Sequence, residues 1–220
     1  VLYVEGARDH EILVSWARRA ARSLVRSIEQ NTVILGGRRP ARALTEFRKR
    51  SGAAAGLRGL IVLDRDDCDG DIMEESDRLG LAEAGLEVFV WSLRHIESYL
   101  LVPGPIRRVL NLDAEDRTVE RALSELMQGE AAASGASLDR SARSIHAKRI
   151  LGPGGSLSEK LGAELNAGAI ARAMVAEDFH PDIELLFGKI GDLSGLIKPG
   201  PEVVIRRTSV KLEAPSDLVS

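Results

Sequence analysis

A single cysteine, Cys68, stands among 220 residues. Its isolation excludes a disulfide framework and a multi-cysteine zinc site, and suits a reducing compartment, so a cytoplasmic location is expected. Aromatic residues make up only 4% of the chain, which argues against base stacking as the main way of holding a single nucleic-acid strand. No apolar run approaches the roughly 18 residues that a membrane helix requires, so no membrane partner is expected. A secretory leader pattern, internal repeats and low-complexity tracts are also missing from the sequence. The chain opens at Val1, already inside an apolar run, so it is expected to be part of a longer polypeptide. Charge of one sign is lacking too, because the formal net charge is only −3.

What is present is ordinary for a globular protein: 44% hydrophobic and 29% charged residues, enough for one large domain or a domain with an appended subdomain. The small net charge conceals segregation. Residues 1–60 carry 12 Lys/Arg against 5 Asp/Glu, whereas residues 61–100 carry 3 against 11. The acidic block follows an apolar run, and that pairing asks for a chemical reason.

Short apolar, β-branched runs at Val1–Val4, Thr32–Leu35, Leu60–Leu63 and Val88–Trp91 read as strands. Helical spacing of Ile12, Leu13, Trp16, Ala17, Leu24 and Ile28 predicts an amphipathic helix over 9–29. Pro40 opens a second helix carrying Leu44 and Phe47, and a third is expected over 71–84. Continuous apolar strands alternating with helices predict a parallel sheet covered on both faces. Beyond residue 95 the segments 95–101, 105–111, 117–128, 139–151, 166–176 and 182–197 read as helical, with Leu185, Leu186 and Ile190 as core positions. Gly152–Gly155 breaks two helices, and residues 199–220 form a tail with one strand at most. The expected fold class is therefore α/β, a parallel sheet of about four strands followed by a helical C-terminal subdomain.

Ligands of open parallel sheets bind beyond the carboxyl ends of the strands. Glu5 follows the first strand, and Asp64 and Asp66 follow the third, with Asp9 one helical turn past Glu5. Carboxylates gathered at one rim repel one another and resist ionisation unless a cation joins them. Oxygen ligands select hard ions such as Mg²⁺, with Mn²⁺ or Ca²⁺ as substitutes, and Mg²⁺ pairs naturally with phosphate chemistry. The plainer role for such acids is helix capping and turns, and Asp67, Asp69, Asp71, Glu74, Glu75 and Asp77 fit it. Three rival motifs fare worse. An EF-hand loop with Gly70 at its sixth position would place Arg65 first and Ser76 twelfth. A dehalogenase-type Asp-x-Asp belongs on a first strand, and a receiver domain needs an adjacent acidic pair where Glu5-Gly6 stands.

Val4-Glu5-Gly6-x-x-Asp9 together with Val62-Leu63-Asp64-Arg65-Asp66 resembles the two motifs of a Toprim domain. Ser92-Leu93-Arg94-His95-Ile96-Glu97-Ser98-Tyr99-Leu100-Leu101 resembles the signature that follows the fourth strand in OLD (overcoming lysogenization defect) family nucleases. The resemblance implies a Toprim catalytic core over 1–101, a helical subdomain over 102–198 and a tail over 199–220. It further implies a metal-dependent DNA nuclease using two ions, held by Glu5, Asp9, Asp64, Asp66 and Glu97, with Asp67 or Asp69 contributing through water. Lys148, in Ser144–Leu151, would approach the scissile phosphate, with Lys160 and Arg172 as fallbacks. Glu5, Asp64, Asp66 and Lys148 are thus the catalytic candidates. An ATPase domain upstream in the same polypeptide is implied as a partner, and oligomers through that part are possible. Two other readings are another Toprim phosphotransfer activity, such as a primase, and a non-catalytic Toprim-like module for DNA binding or assembly.

Arg94 within the signature, and Arg18, Arg22, Arg38 and Arg39 in the basic first segment, are candidate DNA contacts. A solvated helix face would explain Arg18 and Arg22 equally well. The four histidines are scattered and read as structural, Cys68 has no evident base for thiol chemistry, and Trp16 and Trp91 read as core.

Overall fold

A computed structural model describes residues 1–54, 56–66, 71–134, 145–152 and 154–195. Four parallel strands, β1 (Leu2–Val4), β2 (Thr32–Ile34), β3 (Gly59–Leu63) and β4 (Leu86–Val90), form one sheet in the order β2-β1-β3-β4. Adjacent strands register Tyr3 with Val33 and Ile61, and Ile61 with Val88. The α/β class and the parallel sheet expected from the sequence are present. The chain leaves β1 to one side for β2, then crosses back past β1 to β3. The order therefore reverses between β1 and β3, and the crevice beyond their carboxyl ends is where such sheets bind ligands.

Period-two alternation sends the strand residues into two cores. Leu2, Val4, Leu60, Val62, Phe89 and Trp91 face α1 (Ala7–Ala20) and α2 (Val25–Asn31). Tyr3, Ile61, Leu63 and Leu86 face Ala43, Leu44 and Phe47 of α3 (Pro40–Ser51) and Ile72 of α4 (Asp71–Leu79). Pro40 occupies the first turn of α3 as expected. The first core continues without interruption into the helical region, through Ile106 of α5 (Pro103–Leu110), Val119 of α6 (Thr118–Ser134), Ile150 of α7 (Ala147–Leu151), Leu157 of α8 (Ser156–Leu161), Ile170 of α9 (Ala167–Ala173) and Ile183 of α10 (Pro181–Ser194). The Trp16 indole N–H, in α1, donates to Met174 Sδ at 3.0 Å. Trp16 and Trp91 are buried, with rings 6.2 Å apart in edge contact.

The structure differs from the sequence reading at several places. The helix expected over 71–84 ends at Leu79, and the one expected over 139–151 spans Ala147–Leu151, with 139–144 outside the described residues. The helix expected over 9–29 is broken at Ala21 (φ −146°, ψ 59°), followed by a 3₁₀ turn Arg22–Leu24. Ala17 and Leu24 lie seven residues apart, nearly two whole turns, so their apolar phase is the same with or without the break. Leu185 is 57% exposed, whereas Leu186 and Ile190 are buried. One residue is a 100° step, and it carries Leu185 off the buried face. Helix α8 was not expected; it is six residues long, set between Gly155 and a left-handed Gly162, too short for periodicity to register. Segment 95–101 is a 3₁₀ turn, Ile96–Leu100, rather than an α-helix. The turn at Asp67 to Asp69, Cys68, Ser144 and the tail strand at Val203–Ile205 lie outside the described residues.

Candidate metal centre

Beyond β1, Glu5 is fixed by its own neighbours. Its carbonyl accepts the N–H of Gly37 at 2.9 Å, and Gly37 holds φ +115°, a backbone state open to glycine alone at little cost. Its carboxylate Oε1 accepts the Asp64 N–H at 2.9 Å, joining the ends of β1 and β3 across the crevice. Asp9, in the first turn of α1, accepts the Gly6 N–H at 2.9 Å. Asp9 thus does cap its helix, while also facing the same crevice. Burial, with the like charges of Asp64, Asp66 and Asp9 adding to it, pushes the Glu5 carboxyl up to about 7. Burial and the Asp64 charge push Asp9 up to about 6.

Asp64 is the hub. It is 3% exposed; Oδ1 accepts the Ile96 N–H at 2.9 Å and Oδ2 accepts from Lys148 Nζ at 2.7 Å. Lys148 comes from α7, 84 residues away in sequence. Burial disfavours its ammonium, but the contact with Asp64 and the charges of Glu97 and Asp9 outweigh that and raise its pKa. The fallback cations are engaged elsewhere, Lys160 with Glu125 and Arg172 with Glu11.

Asp66 sits just past the rim with φ +49°, a left-handed state that Asp tolerates better than most residues. Its N–H donates to the Arg94 carbonyl at 3.0 Å, and its carboxylate lies 3.3 Å from His95 Nε2. Donor atoms of Asp64, Asp66 and His95 all lie within 4.8 Å of one another, so this group could hold a metal ion. Burial, then the Lys148 charge, lowers the His95 pKa and favours the neutral, ligating form of the ring. Glu97 is 2% exposed and Oε2 has no hydrogen-bond partner among the described residues; Arg8 stands 3.7 Å from Oε1. Burial is the main cause of its raised pKa, with Asp64 and Asp9 adding to it.

The turn carrying His95 and Glu97 is braced from α10. Tyr99 Oη accepts the N–H groups of Ser92 and Leu93, each at 3.1 Å, and donates to Asp182. Asp182 also accepts from the Ser92 hydroxyl and, at 3.2 Å, from its N–H. Burial works against the Asp182 carboxylate, but the Ser92 and Tyr99 donors outweigh it and lower its pKa.

All five carboxylates singled out from the sequence, with Lys148, therefore meet at one crevice. Arg38 and Arg39 lie on the loop after β2 that contacts Glu5, on the same rim. Arg94 is joined to that rim through its carbonyl. Arg18 and Arg22 are not with them. Arg18 lies nine residues beyond Asp9 along α1, about 13 Å of helix rise, and pairs with Glu29 at 2.8 Å. The sequence reading missed His95 and Arg8. A signal existed for His95, two residues before Glu97 and just past a strand end, but single histidines are more often structural. A cavity of about 320 Å³ at the amino ends of the strands, lined by Val1, Leu2, Asn31, Leu57, Arg58 and Leu193 among others, has no carboxylate in its lining. Comparison with protein-family models, curated proteins and solved structures gives no match. Among the described residues no helix is long and apolar enough to cross a membrane.

Proposed function

We propose that this chain is the catalytic portion of a metal-dependent DNA nuclease that hydrolyses phosphodiester bonds with two divalent ions. The observation that carries the reading is the convergence, at the β1–β3 switch point, of Glu5, Asp9, Asp66 and Glu97 on the buried Asp64, which is paired with Lys148. A charge set of this kind is costly to assemble for stability alone. The residues fit a cation by their own chemistry: Glu97 Oε2 is buried without a partner among the described residues, and burial with nearby like charges raises the Glu5 and Asp9 carboxyls to about 7 and about 6.

Glu5, Asp9, Asp64, Asp66 and Glu97 would hold the ions, Mg²⁺ or Mn²⁺, which supply Lewis-acid chemistry at the phosphodiester. Asp64 orients the set, because its backbone N–H and one carboxylate oxygen are committed to Glu5 and Ile96. Lys148, half exposed and beside Asp64, neutralises charge on the scissile phosphate. Arg8, Arg38 and Arg39 line the approach and hold the backbone of the DNA without reading its sequence. An ATPase domain upstream in the same polypeptide, and a reducing, cytoplasmic setting, belong to the same proposal. The test is cleavage of supercoiled plasmid by the purified chain with Mn²⁺ or Mg²⁺, against Asp64→Asn. Asparagine keeps an acceptor for Ile96 and removes the charge. Loss of cleavage in the folded variant supports the reading; equal cleavage by both proteins overturns it.

A further inference from the structure

His95 is not among the five carboxylates that would hold the two ions, although its donor atom clusters with those of Asp64 and Asp66. We propose that it supplies a nitrogen ligand at the Asp64–Asp66 end of the cluster, and that this nitrogen tunes the site toward a divalent first-row transition ion over Mg²⁺ and Ca²⁺. The inference rests on the metal-dependent reading and sharpens which ion serves it.

The imidazole is 4% exposed, and its Nδ1 is buried with no hydrogen-bond partner among the described residues. A buried histidine kept for structure satisfies both ring nitrogens. Here Nε2 faces Asp66 at 3.3 Å, and the ring shares a donor cluster no wider than 4.8 Å with Asp64 and Asp66. Glu97, two residues on, carries a buried carboxylate oxygen with no hydrogen-bond partner among the described residues. The backbone fixes this arrangement from both sides. The Asp66 N–H donates to the carbonyl of Arg94, immediately before His95, and the His95 N–H donates to Ser98 Oγ at 3.4 Å. Mg²⁺ and Ca²⁺ take oxygen donors, whereas imidazole favours first-row transition ions, most weakly Mn²⁺ and more strongly its successors in the series. One nitrogen among carboxylates therefore raises affinity for the transition ions without excluding the others.

Mn²⁺ is the probe, because its pulsed electron paramagnetic resonance spectrum reports directly bound histidine nitrogen. The wild-type chain loaded with Mn²⁺ should show that coupling. His95→Gln should lose it, whereas His146→Gln, whose ring lies 5.7 Å from that of His95, should keep it. By calorimetry His95→Gln should weaken Mn²⁺ by roughly tenfold and leave Mg²⁺ nearly unchanged. Mn²⁺ bound without nitrogen coupling in the wild type, which requires no substituted chain to fold, overturns the inference and leaves the nuclease reading standing. So does coupling that disappears in His146→Gln but not in His95→Gln. Nitrogen-coupled Mn²⁺ in a chain that cuts no DNA overturns the nuclease reading alone, and failure to bind any Mn²⁺ overturns both.

Discussion

Lys148 Nζ lies 2.7 Å from Asp64 Oδ2, an oxygen that a metal cation would also engage. Replacing it with methionine keeps most of the apolar stem and removes the charge. At the 2.7 Å separation of Nζ and Oδ2, unit charges attract by about 1.5 kcal/mol with water-like screening and by about 6 at an effective dielectric of 20. The lysine side chain is 45% exposed, so the lower figure applies. A divalent ion that must displace the ammonium from Asp64 forfeits that energy, and about 1.4 kcal/mol is a factor of ten in affinity. Lys148→Met should therefore bind Mn²⁺ about tenfold more tightly by calorimetry. In the same preparation plasmid cleavage should fall by about 100-fold or more, because the charge that meets the phosphate is gone. The two changes run in opposite directions, which separates this role from general damage. Unchanged or weaker Mn²⁺ binding by a folded Lys148→Met chain would show that lysine and metal do not compete for Asp64.

Three further outcomes follow from the geometry. Metal affinity should rise with pH across about 6 to 7 and level off above, with protons released on binding, because Glu5 and Asp9 titrate there and bind metal only when ionised. Both carboxyls are raised above their ordinary values, so protonation stabilises the fold: the contribution is whole below about pH 4 and is lost as pH climbs from there through 6 and 7, at most about 3 kcal/mol for each carboxyl before screening by water. Thermal midpoints at pH 5 and 8, with and without Mn²⁺, check both signs; a flat profile refutes them. Tyr99→Phe should lower the thermal midpoint by the equivalent of about 1–2 kcal/mol, since Asp182 loses a donor, the Leu93 amide loses its acceptor and the Ser92 amide keeps only Asp182. Calorimetric unfolding measures it. Arg38→Ala with Arg39→Ala should reduce the slope of log affinity for DNA against log salt by about 2, and Arg18→Ala with Arg22→Ala should change it less. Fluorescence anisotropy over a salt series decides, and equal slopes for the two pairs would remove the distinction between the near and far arginines.

Much of this site was legible because its donors sit where local pattern and topology coincide. An apolar run ending in Asp64 reads as a buried strand with an acid at its carboxyl end, and Glu5 reads the same way. Their pairing through the Asp64 N–H needs β1 beside β3, which alternation of strands and helices makes natural but does not dictate. Lys148 was reached only through resemblance, since nothing local in Ala147–Leu151 says that a five-residue helix will meet a strand end. His95 was passed over because its meaning lies in the left-handed turn of Asp66, a backbone state that residue order leaves open. The arginines show the same limit. Sequence counts them together, whereas Arg38 and Arg39 follow a strand and Arg18 and Arg22 lie at the far end of the helix that leaves the site.

The helical region is structurally part of the site. Without α7 the buried Asp64 carboxylate would lose its only ion pair among the described residues, and without Asp182 of α10 the turn bearing His95 and Glu97 would lose the acceptor that ties Tyr99 and Ser92 down. Both helices pack through the core that holds β1, β3 and β4, so they reach the rim from the face occupied by α1. A sheet brings Glu5 and Asp64 together by topology alone, yet carboxylates so close repel and resist ionising. The ammonium from α7 and the tied turn under α10 offset that repulsion when no metal is bound. Among the described residues one buried oxygen of Glu97 and one ring nitrogen of His95 have no hydrogen-bond partner, and the Glu97 oxygen, close enough to Asp64 and Asp9 to feel their charges, is one that a cation would engage.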